Sequence, residues 1–288
     1  MKTLRQIIEE NLQAGTAVGH FNIPNLEVAQ AIVDAAAAQN VPVVLGLSEG
    51  ERKYVGVHEV VAWVAAVNKR LGEKKVFLNA DHTYSFELVK EAVEAGFDMV
   101  IYDNAKGDIE ENIKVAKQCR EFIDAYNKEN SKDVLFEAEI GYIGSGSEVR
   151  TELPSGIQKT SVETAVHFVQ EVRPDLLAPA VGNVHGMLKD VPEPNLDERL
   201  CGEIYTATKV PLVLHGASGN TKEDIQACIK NGVAMVHVST EIRVAYKNAL
   251  KEAVNNGDDL AAYKYLKPVR DAVQKLIEEK INIFSFKN

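Results

Sequence analysis

Residues 210–240 read VPLVLHGASGNTKEDIQACIKNGVAMVHVST, and this stretch holds a whole strand–helix–strand unit. Residues 210–214 and 235–238 are short, nearly continuous apolar runs rich in β-branched side chains, the pattern of strands buried on both faces. Residues 222–231 between them carry helical spacing, with Gly232 placed where a residue tolerant of positive φ ends a helix. Pro211 falls at the start of its strand, where a missing ladder donor is tolerated.

The same alternation runs through the chain. Strand-like runs occupy residues 17–23, 41–47, 76–80, 99–102, 134–140, 176–181, 210–214 and 235–238. Helical patterns occupy 26–39, 57–71, 85–95, 109–127, 162–172, 196–208, 222–231 and 241–254. Such a β/α repeat predicts an α/β protein, a single (β/α)8 TIM barrel over residues 1–288, rather than two stitched domains. An N-terminal helix precedes it, and residues 260–286 read as a C-terminal extension of one or two helices. A doubly wound open sheet is the competing arrangement, because periodicity does not show that the last strand closes on the first. Residues 141–160 depart from the pattern: Gly141, Gly144, Gly146, Pro154 and Gly156 predict a long mobile loop suited to a lid.

Composition narrows the partners. The 288 residues are 45% hydrophobic and 26% charged, ordinary for a globular chain. A net charge of −10 with no basic run argues against nucleic acid. No signal peptide and no membrane-length apolar run is legible, so the expectation is a cytoplasmic protein without a membrane partner. Cys119, Cys201 and Cys228 are odd in number and far apart, which reads as free, mostly buried thiols rather than a disulfide framework or a CxxC site.

In a parallel barrel the site lies at the C-terminal strand ends. Those ends deliver Asn22, Ser48, Asp81 with His82, Asp103, Glu139, Asn183 with His185, His215 with the small-residue turn to Gly219, and His237 with Ser239 and Thr240. His82, His185 and His215 match no local zinc motif. Converging on one rim, they would nevertheless fill three corners of a tetrahedron and leave the fourth open, as catalytic zinc requires. Hydrogen-bonded structural histidines are the plain alternative. Glu139 and Asp103 would add a metal position or orient a ligand. Asp81 either stands beside the metal as an acid–base group or caps the next helix, a role for which Ser85 competes.

The turn Gly216-Ala217-Ser218 and the helix start at Ser239–Thr240 occupy the two loops where barrel enzymes bind phosphate on backbone N–H groups, and Gly186 permits another close approach. Simple helix capping is the alternative for Ser239 and Thr240. Together these groups suit polarisation of a carbonyl beside a C–H bond. An imine mechanism would need a buried Lys among the reacting groups, and no strand ends in one.

On these residues the chain resembles the class II, zinc-dependent ketose-bisphosphate aldolases. The matching stretches are GHFNIPNLE, PVVLGLSEGERKYVG, NADHTYSFE, EAGFDMVIYDNA, FEAEIG, AVGNVHG, PLVLHGASG and VSTEIRVAY, spread from Leu4 to Tyr246. The resemblance implies reversible aldol cleavage of fructose 1,6-bisphosphate to dihydroxyacetone phosphate and glyceraldehyde 3-phosphate through a zinc-stabilised enediolate. Its partners would be phosphorylated ketoses and triose phosphates, its setting glycolysis and gluconeogenesis, and its assembly a homodimer or homotetramer. It implies Asp81 as proton donor on the aldehyde side, and His82, His185 and His215 as Zn2+ ligands with Asp103 and Glu139 as further metal-site carboxylates. Gly186, Gly216, Ala217, Ser218, Ser239 and Thr240 fall on the phosphate side, and Ser48 near the other substrate half. A monovalent cation (Na+ or K+) would sit on the backbone of Val181, Gly182 and Gly216.

The chain departs from that pattern in two places. His237 stands where members usually carry an Asn that contacts the triose half. The loop reads EIGYIGSGSEVR, which leaves Glu148, the candidate catalytic base, one place out of register. The alternatives are accordingly a tagatose-1,6-bisphosphate or other ketose-phosphate aldolase, and a catalytically impaired barrel that binds metal and sugar phosphate. A zinc hydrolase fits less well with a paired phosphate cradle.

Overall fold

The structure, a computed structural model, describes residues 2–73 and 75–287. Its strands are β1 (Val18–Asn22), β2 (Val43–Leu47), β3 (Val76–Thr83), β4 (Met99–Asp103), β5 (Leu135–Ile140), β6 (Val149–Arg150), β7 (Leu176–Pro179), β8 (Met187–Leu188), β9 (Leu212–Leu214) and β10 (Val233–Val238). All but β6 and β8 form one closed barrel of parallel strands in the order β1-β10-β9-β7-β5-β4-β3-β2. The closing seam pairs Val18 with Met235 through Phe21 with Val238, which excludes the open sheet.

The helices are α1 (Leu4–Ala14), α2 (Leu26–Gln39), α3 (Glu49–Val55), α4 (Val57–Leu71), α5 (Phe86–Ala95), α6 (Ile109–Asn130), α7 (Val162–Val172), α8 (Glu198–Thr208), α9 (Lys222–Lys230), α10 (Thr240–Asn256), α11 (Ala262–Tyr265) and α12 (Lys267–Phe284). Local chemistry sets many of their ends. Thr3 and Gln6 form a reciprocal capping box on α1, and Gly15 ends it in the left-handed region. The Ser85 hydroxyl accepts from the Leu88 N–H and starts α5. Ser85 therefore holds the cap, and Asp81 is free for other work.

Successive strand residues face opposite sides, and the two faces differ in chemistry. Outward residues such as Phe21, Leu45, Phe136 and Leu214 pack on the surrounding helices. Inward residues Val18, Val44, Phe77, Met99, Leu135 and Val213 fill the lower barrel, and Leu4, Ile7 and Ile8 of α1 close it from below. Two residues further along four of these strands the buried side chain is polar: His20, Asn79, Glu137 and His215. The barrel is thus sealed at one end and reactive at the other.

Two features differ from the sequence reading. The short, charged α3 carries no apolar period and was not expected. Residues 141–160 are not wholly irregular, because β6 pairs in parallel with β8 outside the barrel. The C-terminal extension contains two helices, α11 and α12, within the one or two expected. Cys119, Cys201 and Cys228 are buried free thiols.

Candidate active site

The upper rim is organised by an irregularity in β3. Its pairing with β4 shifts register between Ala80 and Thr83, and His82 within that bulge has φ +42°. A left-handed conformation costs a non-glycine residue about 1–2 kcal/mol, and here it turns two neighbouring side chains, Asp81 and His82, toward the same cavity. Buried Arg52 clamps the bulge, donating from Nη1 to the carbonyls of Leu47 (2.6 Å) and Asp81 (3.0 Å) and from Nη2 to Thr83 Oγ1 (3.0 Å).

Around this bulge the rings of His82, His185 and His215 meet edge to face. Their interplanar angles are 70°, 80° and 83°, with centroids 4.8, 5.0 and 5.9 Å apart. Lone pairs of imidazole lie in the ring plane, so mutually steep planes allow three rings to point at one centre. One ligand atom each from His82, Glu139, His185 and His215 lies within 4.8 Å of the others. Tetrahedral zinc would hold such atoms about 3.3 Å apart, a small contraction.

In two of the three rings one nitrogen is already engaged. His82 Nδ1 is 2.8 Å from Asp103 Oδ2, and His215 Nε2 is 2.8 Å from Glu137 Oε1. Each carboxylate fixes its ring and leaves the opposite nitrogen facing the centre, the usual arrangement behind metal-bound histidine. Asp103 therefore orients a ring instead of joining the four-residue group. Glu139 Oε2 is buried without a hydrogen-bond partner, as a group awaiting a cation would be. These residues could hold a divalent metal ion.

Titration follows from this crowding of charge. Burial pushes Glu139 up to about 8, reinforced by Asp103. Burial alone would lower His82, but the charges and hydrogen bonds of Asp81, Asp103 and Glu139 outweigh it and hold His82 well above its ordinary value. Asp81 is likewise buried, yet the charge of His82, with His237, keeps it well below the usual carboxylate range. His185 is driven well down by burial and by its cationic neighbours.

His20, Asp81 and His237 form a second close group of potential ligands. The rings of His20 and His237 stack with centroids 3.4 Å apart and planes 8° from parallel. Two parallel, separated planes cannot both present in-plane lone pairs to one ion, so this group does not suit a metal.

A narrow inner chamber is lined by Asn22, Ser48, Asp81, the three steeply arranged histidines, Gly186, Gly216, Ser218, His237, Ser239, Thr240 and Arg243. It adjoins an outer cavity of about 480 Å³ lined by Ser48, Tyr84, Asp103, Lys106, Glu139, Ser147 and Arg243. Ser239 makes no side-chain cap bond to α10, and its hydroxyl instead lies 3.1 Å from Ser147 Oγ. The simple capping role is therefore absent. Gly216, at φ +58°, leaves no room for a Cβ against the Val184 carbonyl, so its backbone can lie against the loop after β7 only as glycine. A Cβ on Gly182 or Gly186 would likewise approach backbone carbonyls, at 2.7 Å from Asn195 and 2.5 Å from Glu148. Val181 O already accepts from the Asp197 N–H at 2.7 Å. Ala217 is fully buried behind the chamber.

Glu148 is not gathered with the others. Its side chain is exposed and lines neither chamber, whereas its neighbour Ser147 lines both. Residues absent from the sequence reading complete the site. Glu51 Oε2 accepts from the Ser48 N–H and hydroxyl, both at 2.9 Å, while Glu51 Oε1 pairs with Arg243 at 2.7 Å. Asn22, which the sequence already placed at its strand end, donates from Nδ2 to Asp81 Oδ2 at 2.8 Å and holds that carboxylate in place. Glu137, Asn79 and His20 were missed, although each precedes a rim residue by two and so shares its face, a spacing that could have found them.

The family model described as fructose-bisphosphate aldolase class-II matches residues 2–288. A fructose-bisphosphate aldolase of Staphylococcus epidermidis is 35% identical over 289 residues, covering 99% of this chain and 98% of that one. A probable fructose-bisphosphate aldolase of Bacillus subtilis is 33% identical over 291 residues with the same coverage. Among solved structures, the YdjI aldolase of Escherichia coli K12 superposes with a TM-score of 0.81 at 26% identity, covering 99% of this chain and 97% of that one. By these matches over its whole length, the chain belongs to the class-II fructose-bisphosphate aldolase family.

Proposed function

We propose that this protein cleaves fructose 1,6-bisphosphate reversibly to dihydroxyacetone phosphate and glyceraldehyde 3-phosphate, with His82, His185 and His215 holding Zn2+. The observation that carries the reading is the steep mutual arrangement of those three rings beside Asp81 and two glycine- and serine-rich phosphate loops. When bound, zinc would supply a Lewis acid for the keto oxygen. Glu139 faces the same centre and would balance its charge.

The chain supplies the rest. Backbone N–H groups of Gly216 through Ser218 and of Ser239–Thr240, at the start of α10, bind the phosphate of the ketone half. In the cleavage direction Asp81, ionised and held by Asn22, takes the proton of the hydroxyl that becomes the aldehyde oxygen; in condensation it returns that proton. Ser48 and Arg243, on the boundary between the chambers, bind the aldehyde half. Glu148 remains our base for the triose C–H proton, which requires the 141–160 loop to move inward. A monovalent cation on the backbone of Val181, Gly182 and Gly216 and a homodimeric or homotetrameric assembly belong to the same reading. No helix among the described residues is long and apolar enough to cross a membrane.

His237 favours a second reading, a preference for tagatose 1,6-bisphosphate or another ketose phosphate. Chelated protein should release no triose phosphate, and zinc-restored protein should release it from fructose 1,6-bisphosphate with a higher kcat/KM than from the tagatose epimer. A reversed preference selects the second reading. Zinc-loaded protein inert toward both would contradict the proposal and leave a binding barrel.

A further inference from the structure

Where the barrel closes, β1 and β10 place two imidazoles in direct register, His20 against His237, and the proposed chemistry gives neither of them a step. His20 is fully buried and fixed on two sides. Its Nε2 lies 3.1 Å from Asn79 Nδ2, and Gly46 makes room for the ring, since a Cβ there would collide with it. His237 is held differently. Its Nδ1 is 3.5 Å from Asp81 Oδ1 and its Nε2 is 3.8 Å from Glu137 Oε2, and neither nitrogen has a hydrogen-bond partner. What fixes the plane of His237 is ring contact: the parallel face of His20 at 3.4 Å and the tilted ring of His215 at 4.2 Å.

His237 lines the inner chamber with Gly216, Ser218, Ser239 and Thr240, and it does not line the outer cavity. It therefore meets the substrate half whose phosphate those loops bind. We propose that His20 is a positioning residue, a fixed aromatic floor that holds His237 flat so that its edge contacts the ketone half of a phosphorylated ketose. The inference rests on the aldolase reading above.

Exchange of the carbon-bound hydrogen of dihydroxyacetone phosphate with solvent isolates this half of the reaction, because it needs no aldehyde. His20→Phe keeps a flat ring and loses the Asn79 bond, whereas His20→Asn keeps a polar group and loses the ring. With zinc content and melting temperature measured alongside, His20→Asn should lose about tenfold or more in exchange rate at saturating substrate while His20→Phe stays within about threefold of wild type. His237→Asn should also lose exchange, and the double variant His20→Asn/His237→Asn should lose less than the product of the two single losses, as expected for rings that act through one contact. Should His20→Asn fold poorly, His20→Phe decides by itself, since a loss beyond that threefold in folded, zinc-loaded protein overturns the stack. Wild-type exchange with His20→Asn equally active, His20→Phe as impaired as His20→Asn, or zinc lost from His20→Asn would each overturn the stack as a positioning device. A zinc-loaded wild type that exchanges no label would instead overturn the aldolase reading beneath it.

Discussion

At the scale of single residues, the site depends on carboxylates placed one bond behind the rings. Glu137 accepts from His215 and touches no surface, so Glu137→Ala should weaken zinc binding about 10- to 100-fold, read by competition with a chromophoric chelator. Asp81→Asn should lower kcat about 10²- to 10⁴-fold with the zinc content unchanged. The raised pKa of His82 gives a pH dependence with a definite sign. Its proton is bound more tightly in the metal-free fold than in the unfolded chain, so that stabilisation is complete below the ordinary value of 6.5 and is lost as pH rises through the folded value. Zinc takes the unprotonated ring, so uptake expels protons and apparent affinity climbs with pH over the same window. Calorimetry near pH 7 in buffers of different ionisation enthalpy should show at least one proton released per zinc, with Glu139, raised to about 8, contributing too; zero release would contradict the assignment. The rim residues were legible because each strand end carries its own polar group. Glu137, His20 and Asn79 were not picked out, because they lie one layer deeper in runs that otherwise read as apolar.

At the scale of elements, the bulge in β3 and the plug formed by α1 do separable work. Ile8 is buried in the lower core, far along the barrel from the polar rim. Ile8→Ala should cost about 2–5 kcal/mol of stability in denaturant unfolding and leave kcat unchanged at a permissive temperature. The alternation of strands and helices was legible from periods of two and of 3.6 residues, and α4 matched its expected bounds at Val57–Leu71. The bulge was not, because the left-handed φ of His82 arises from Arg52 reaching across from α3, a contact between distant segments. The β6–β8 ribbon was hidden for the same reason: each strand is two residues long, and their pairing joins loops nearly forty positions apart.

At the scale of the whole molecule, the closed order of eight parallel strands brings histidines from positions 82, 185 and 215 to one rim, and the apolar lower half gives that rim a rigid base. The proposed homodimeric or homotetrameric assembly predicts a solution mass by light scattering at least twice the 31.6 kDa of one chain. The account stands most directly on where zinc binds. Anomalous diffraction at the zinc edge, from crystals of chelated protein reloaded with one equivalent, should give one peak ligated by His82, His185 and His215, at about 2.0–2.1 Å from each nitrogen. A peak ligated instead by the parallel rings of His20 and His237, or the three steep rings left empty in zinc-loaded protein, would contradict it.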